Sequence, residues 1–176
     1  GRSGHKNAKR SAEIIIETRM KLAELFNIDD IMQIVLTKNG TESLNIALNG
    51  LLKDSDHVIT TIYEHNSVLR PLNHLKDEGI IDIDYVLPNE EGLITPEAIN
   101  QCIKENTKLI VVNHVSNVVG VRQEIKVIGK LARENNIVFM VDAAQSAGII
   151  DIDVKRDYID ILAAPGHKGL LGPQGT

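Results

Sequence analysis

Apolar and polar positions follow two periods along this chain, and they take turns. In "NAKRSAEIIIETRMKLAELFN" (7–27), Ala12, Ile15, Ile16, Met20, Leu22, Ala23 and Phe26 fall close to helical spacing with charges between them, which predicts an amphipathic helix. "MQIVLT" (32–37) is a short run that reads as a strand. A helical pattern then opens at Thr41 and continues through Leu44, Ala47, Leu48 and Leu51. "HVITT" (57–61) predicts a second strand, and "SVLRPLNHLKDEG" (67–79) a helix with Pro71 in its first turns and Gly79 as its stop. "IIDIDYVLP" (80–88) reads as strand, and "TPEAINQCIK" (95–104) as a helix opened by a Thr N-cap followed by Pro and Glu. "TKLIVVNHV" (107–115) predicts a strand buried on both faces, "EIKVIGKLARENN" (124–136) a helix, and "IVFMVDAA" (137–144) and "YIDILAA" (158–164) two further strands.

Strands alternating with helices imply an α/β domain with a mostly parallel sheet covered by helices. Sheets of this kind bind ligands in the crevice beyond the carboxyl ends of their strands. The residues after each predicted strand therefore deserve separate reading. They are Lys38-Asn39-Gly40-Thr41-Glu42, Tyr63-Glu64-His65-Asn66-Ser67, Asn113-His114-Val115-Ser116-Asn117, Asp142-Ala143-Ala144-Gln145-Ser146 and Pro165-Gly166-His167-Lys168-Gly169. Parallel strands would bring all five clusters to one rim.

Composition narrows the chemistry. The chain has 176 residues, 43% hydrophobic and 24% charged, which suits one soluble domain with a core of useful size. Its formal net charge of −5 argues against nucleic acid as the main partner. Cys102 is the only cysteine, so there is no internal disulfide or cysteine-based zinc site, in keeping with a cytoplasmic protein. No apolar run reaches the ~18 residues of a membrane span. No hydrophobic segment follows "GRSGHKNAKR", so it is not a signal peptide, and no initiator Met opens it. Neither G-x-x-x-x-G-K-[ST] nor G-x-G-x-x-G occurs, nor H-E-x-x-H or G-x-S-x-G. The histidines lack metal-ligand spacing, and no metal is expected.

Each remaining cluster has a plain and a chemical reading. Asn39-Gly40-Thr41 is a turn and N-cap, or an anion site at a helix N-terminus. Asp142 follows an apolar run and precedes two alanines, so its carboxylate is expected out of water and in need of a cationic or N–H partner. His65 alone reads as a packed or solvated histidine, and Lys168 as a surface lysine. Gly166 and Gly169, however, let backbone or ligand come close to Lys168, and a suitably placed lysine can act as an amine nucleophile. An anion cradle, a buried carboxylate, an imidazole and such a lysine together suit pyridoxal 5'-phosphate.

In these respects the chain resembles the class V aminotransferase-fold enzymes, specifically the cysteine desulfurase and selenocysteine lyase family. The matching segments are "GRSGH", "NGTESLNIAL", "DHVITTIYEHNSVLRPL", "HVSNVVG", "VDAAQSAG" and "GHKGLLGPQGT", in the family's order. The resemblance implies a three-layer α/β/α domain with a mostly parallel mixed sheet, the large domain of a fold-type-I pyridoxal-phosphate enzyme. It implies that Lys168 forms the Schiff base and then moves the substrate α-proton. Asp142 would pair with the ring nitrogen, Gln145 would bond near the phenolic oxygen with Asn117 on the same side, and His65 would stack on the ring. Thr41, the Gly40 backbone and His167 would hold the phosphate. The position of Pro165 often carries a phosphate-binding Ser or Thr in relatives, and proline offers neither hydroxyl nor N–H. Asn66 stands where many relatives have His or Pro.

The implied reaction converts L-cysteine to L-alanine, with sulfur passed to an enzyme cysteine as a persulfide; selenocysteine is a possible substrate. The resemblance also implies a cytoplasmic homodimer that hands sulfur to an acceptor protein. Residues 1–176 are expected to be part of the large domain, with the first strand region and the small domain lying outside them. The sulfur-accepting cysteine and the arginine for the substrate carboxylate would lie there too. Cys102 is not expected to be the acceptor, and these residues alone are not expected to turn over cysteine. Two other readings stand beside this one: a different class V aminotransferase or lyase, and a non-catalytic dimerising or scaffold fragment.

Overall fold

The computed structural model describes residues 4–176; the first three residues of the "GRSGH" segment lie outside them. The elements in chain order are α1 (Lys6–Phe26), α2 (Gly40–Leu51), β1 (Asp56–Thr61), α3 (Asn66–Asp77), β2 (Ile81–Val86), α4 (Pro96–Asn100), β3 (Thr107–Asn113), α5 (Ile125–Glu134), β4 (Val138–Asp142) and β5 (Ile161–Ala163). The strands form one sheet in the order β2-β1-β3-β4-β5. Every ladder between them is parallel. An isolated antiparallel bridge, Val115 to Arg122, closes the loop after β3. Helical crossovers lead from β1 to β2, from β2 to β3 and from β3 to β4, as parallel pairing demands.

Alternate strand residues face opposite layers. Ile59, Ile110, Val112, Phe139 and Val141 pack with Phe26 of α1, Ile99 of α4 and Ile128 of α5. Val58, Leu109, Val111 and Met140 pack with Leu44 and Leu48 of α2 and Val68 and Leu72 of α3. The result is the expected α/β/α sandwich. Near-continuous apolar sequence in β3 and β4 follows from burial on both faces.

The helix ends follow local chemistry. Asn39 caps α2, its side chain accepting from the Glu42 amide at 2.9 Å, while Glu42 Oε2 accepts from the Lys38 amide at 2.7 Å. The N–H that proline lacks at position 71 would have bonded to the Ser67 carbonyl. That carbonyl instead accepts from Asn45 Nδ2 on α2 at 3.4 Å, so the break in α3 becomes a tie to its neighbour.

Three expectations fail in extent. "MQIVLT" is not a strand: a single 3₁₀ turn covers Ile31–Gln33, and extended backbone follows without a ladder. A strand exists by pairing, and among the described residues no neighbour pairs with this one, leaving Val35 and Leu36 exposed. α4 stops at Asn100, because the Cys102 and Ile103 amides bond three residues back rather than four. β5 is cut to three residues by a left-handed turn at Tyr158.

Gly129 sits inside α5, where alanine would be the better helix former by about 1 kcal/mol. A Cβ there, however, would collide with the Asp157 carbonyl and crowd the buried Phe139 ring. Overpacking of this kind costs about 1–3 kcal/mol, so packing outweighs propensity. Gly129→Ala is expected to lower the urea midpoint of unfolding; a raised midpoint would show that α5 is not seated this closely.

Candidate functional site

The sheet order reverses between β1 and β3, the point at which such sheets open a crevice. A cleft of about 190 Å³ lies there, walled by the carboxyl ends of β1, β3, β4 and β5 and by the N-terminus of α2. All eight sequence-derived candidates line it: Gly40, Thr41, His65, Asn117, Asp142, Gln145, His167 and Lys168. They come from five separate stretches of chain.

Parallel register sets the floor. Asn113 and Asp142 are Cα partners at the ends of β3 and β4, so their side chains leave the sheet on one face. Asp142 is 2% exposed. Its Oδ1 accepts the Ala144 amide at 2.9 Å, and among the described residues no donor meets its other oxygen. Burial pushes the carboxyl above its usual range, against the pull of that amide and of the His65 and Lys168 charges. A buried carboxylate with a free oxygen and no close ion pair is set to receive a cationic or N–H group.

The wall above it is held by one hydroxyl. His65 caps α3, its Nδ1 accepting the Ser67 amide at 3.1 Å. In the neutral ring Nδ1 is then the acceptor and the proton sits on Nε2. Ser67 Oγ lies 2.8 Å from that same Nδ1 and 2.9 Å from Thr41 Oγ1. The imidazole is thus tied through Ser67 to the first turn of α2. There the amides of Gly40 and Thr41 have no partner among the described residues, as expected of the first positions of a helix. The buried Pro165 ring forms the opposite wall, 3.4 Å from where a Gly40 Cβ would lie.

Lys168 is exposed at the rim, on a loop that packs against the loop following Asp142. A Cβ on Gly169 would strike the Ala147 carbonyl, and one on Gly148 (φ 80°) would strike the Gly169 backbone. Gly169 therefore serves a backbone contact between two loops, one of the two close approaches the sequence allowed, and a Cβ on Gly166 would meet the Thr176 hydroxyl. His167 Nδ1 donates to the Thr176 carbonyl at 3.2 Å. Cys102 does not line the cleft; its thiol contacts the Ala98 carbonyl at 3.5 Å and is pushed up by burial.

Sequence reasoning gave no role to three residues at this site. Ser67 and Asn113 line the cleft, and Glu64 lies behind Asn113 with its Oε1 accepting that residue's amide at 2.8 Å. All three stood in the strand-end clusters. Nothing in a single sequence separates a buried Glu64 from a solvated turn glutamate. Among the described residues no helix is long and apolar enough to cross a membrane, and no three His, Cys, Asp or Glu residues are grouped to hold a metal ion.

Comparison with known proteins agrees with this architecture. A probable cysteine desulfurase of Methanothermobacter thermautotrophicus is 37% identical over the whole chain, which spans 44% of that protein. The cysteine desulfurase IscS of Photobacterium profundum is 39% identical over 97% of the chain and 43% of its own length. Among solved structures, SspA in complex with cysteine superposes with a TM-score of 0.92 at 36% identity, covering 99% of this chain and 50% of SspA. The apo cysteine desulfurase of Thermococcus onnurineus NA1 gives 0.90 at 36% identity, over 99% of this chain and 44% of the other. The chain thus spans about half the length of the relatives it matches. The family model for aminotransferase class-V matches residues 1–176, and the chain belongs to that family.

Proposed function

We propose that this chain is the large, cofactor-binding part of a pyridoxal-phosphate-dependent cysteine desulfurase. The observation that carries the reading is the pairing, across one cleft, of a buried carboxylate having a free oxygen with an exposed lysine and a helix N-terminus whose first two amides have no partner among the described residues. These features fit pyridoxal 5'-phosphate on chemical grounds. Phosphate suits the free amides and positive end of α2, and a ring N–H suits the raised carboxyl of Asp142. In this reading the Gly40 and Thr41 amides, the Thr41 hydroxyl and His167 bind the phosphate. Asp142 keeps a proton on the ring nitrogen, Gln145 and Asn117 face the phenolic edge, and His65 covers one ring face.

When bound, the cofactor supplies an electron sink that weakens bonds at an amino acid's α-carbon. Lys168 supplies the amine that anchors it and, once free, moves the proton at that carbon. The name of SspA in complex with cysteine and those of the desulfurase relatives favour L-cysteine as substrate, with selenocysteine a variant of the same chemistry. A cysteine thiolate attacks the substrate sulfur; the carbon–sulfur bond breaks with its electron pair left on the substrate's β-carbon, which takes up a proton to give alanine, and the sulfur stays on the cysteine as a persulfide. Cys102 lies away from the cleft, so that thiolate and the arginine for the substrate carboxylate belong to segments outside residues 1–176. The reading includes a cytoplasmic homodimer and a sulfur-accepting partner protein.

Pyridoxal 5'-phosphate added to the protein is expected to give a visible absorbance band that Lys168→Ala abolishes. An absent band, or one unchanged in the variant, would overturn the cofactor assignment. With the segments outside residues 1–176 present and a thiol reductant supplied to discharge the persulfide, L-cysteine should then yield alanine and sulfide in equal amounts; transamination without sulfur release would move the protein to another class V activity. Pro165→Ser restores a hydroxyl at the phosphate wall. A hydrogen bond to a charged group is worth about 1.5–3 kcal/mol, so the variant is expected to bind the cofactor on the order of tenfold more tightly. Unchanged affinity would mean that the phosphate does not lie against this wall.

A further inference from the structure

Three buried side-chain atoms among the described residues lack a hydrogen-bond partner, and two of them belong to residues already bonded to each other: Glu64 Oε2 and Asn113 Oδ1. Glu64 is 6% exposed and Asn113 4%. Glu64 Oε1 takes both available donors, the Thr61 hydroxyl and the Asn113 amide, each at 2.8 Å. The Asn113 side-chain amide is oriented by its Nδ2, which donates to the Tyr63 carbonyl at 3.3 Å and leaves Oδ1 as an acceptor without a donor. An ionised Glu64 would leave both remaining oxygens short of a donor. One proton on the carboxyl group supplies a donor where both are missing. The charge count points the same way. Asp142, in register with Asn113, is the charged group acting on Glu64, and it repels a second negative charge.

We propose that Glu64 works as a neutral acid, a positioning residue that clamps the end of β1 to the end of β3 and leaves Asp142 as the single anion on the cleft floor. This is more than a core contact: an ionised Glu64 would compete with Asp142 for any cationic group entering the cleft. Its bearing on the cofactor rests on the reading above; the clamp itself does not. Burial pushes the carboxyl from 4.5 to about 8, with the two donors opposing and Asp142 adding to the rise. The folded protein therefore holds a proton here that the unfolded chain gives up earlier. A carboxyl raised on folding stabilises fully below its unfolded value, and that contribution is lost as pH climbs through the folded one. Glu64 should make stability decline between about pH 4.5 and 8.

The test is urea unfolding of the protein across that range, with Glu64→Gln, which keeps the shape and a donor but cannot ionise. The wild-type midpoint is expected to fall with rising pH, and Glu64→Gln to lose that fall. Thr61→Val removes a donor to the ionised form and should shift the fall to higher pH, which keeps the test open if Glu64→Gln folds poorly. A Glu64→Gln midpoint declining as wild type does, or a Thr61→Val profile that does not move, would overturn the proposal; so would a flat wild-type profile, the mark of a carboxylate kept ionised by a bridging water. In the same samples the bound cofactor's visible band should survive Glu64→Gln. If no band forms in wild type, the cofactor reading fails while the unfolding result still decides Glu64.

Discussion

Parallel register at the carboxyl ends of the strands is the constraint on which this molecule depends. Because β1, β3, β4 and β5 run the same way, their last residues and following loops meet at one edge. Asn113, Asp142 and Ala163 are successive partners across β3, β4 and β5. A slip of one residue in either ladder would turn Asp142 to the opposite face. The apolar residues of β3 and β4 forbid such a slip, since each is buried against a helical layer on its own side. Core packing thus fixes where a charged group stands.

The loops repeat this logic on a smaller scale. The Lys168 loop is positioned by contact between Gly169 and the Ala147 carbonyl, and by Gly148, whose positive φ accepts the same contact from the other side. That contact joins the loop bearing the lysine to the loop that begins at Asp142. The two ends of the proposed cofactor site are therefore spaced by backbone against backbone, which is stiffer than side-chain packing. Ser67 does the same for the other wall, coupling the His65 ring to the first turn of α2 through two hydrogen bonds.

Much of this was legible because it depends on local pattern. The alternation of periods gave the layers, and polar residues after apolar runs marked the rim. What escaped depends on tertiary surroundings. "MQIVLT" has strand composition, but pairing is a property of a neighbour, and no local signal reports one. Glycines beside Lys168 announced a close approach without saying whether backbone or ligand makes it. Glu64 was visible as a residue and invisible as a buried acid, since its burial comes from β3 closing over it. Asn39 caps α2, as one of its two readings had it, and the amides of the next two residues have no partner among the described residues, as the first positions of a helix have none within it.

The electrostatics of the floor follow from a choice between costs. Burying one carboxylate without a cationic partner is expensive, and burying two side by side is more so. The structure spends the available donors unevenly: two go to a single oxygen of Glu64, and one backbone amide goes to Asp142. The unevenness makes sense if the two groups differ in charge state. Donors gathered on one oxygen leave the other oxygen of Glu64 able to carry a proton and donate it, whereas the Asp142 carboxylate has one oxygen that no donor among the described residues meets and so suits a cationic or N–H group. The strain of an unfinished ion pair is then confined to the one side chain that faces the cleft, and the acid behind it keeps the strand ends closed.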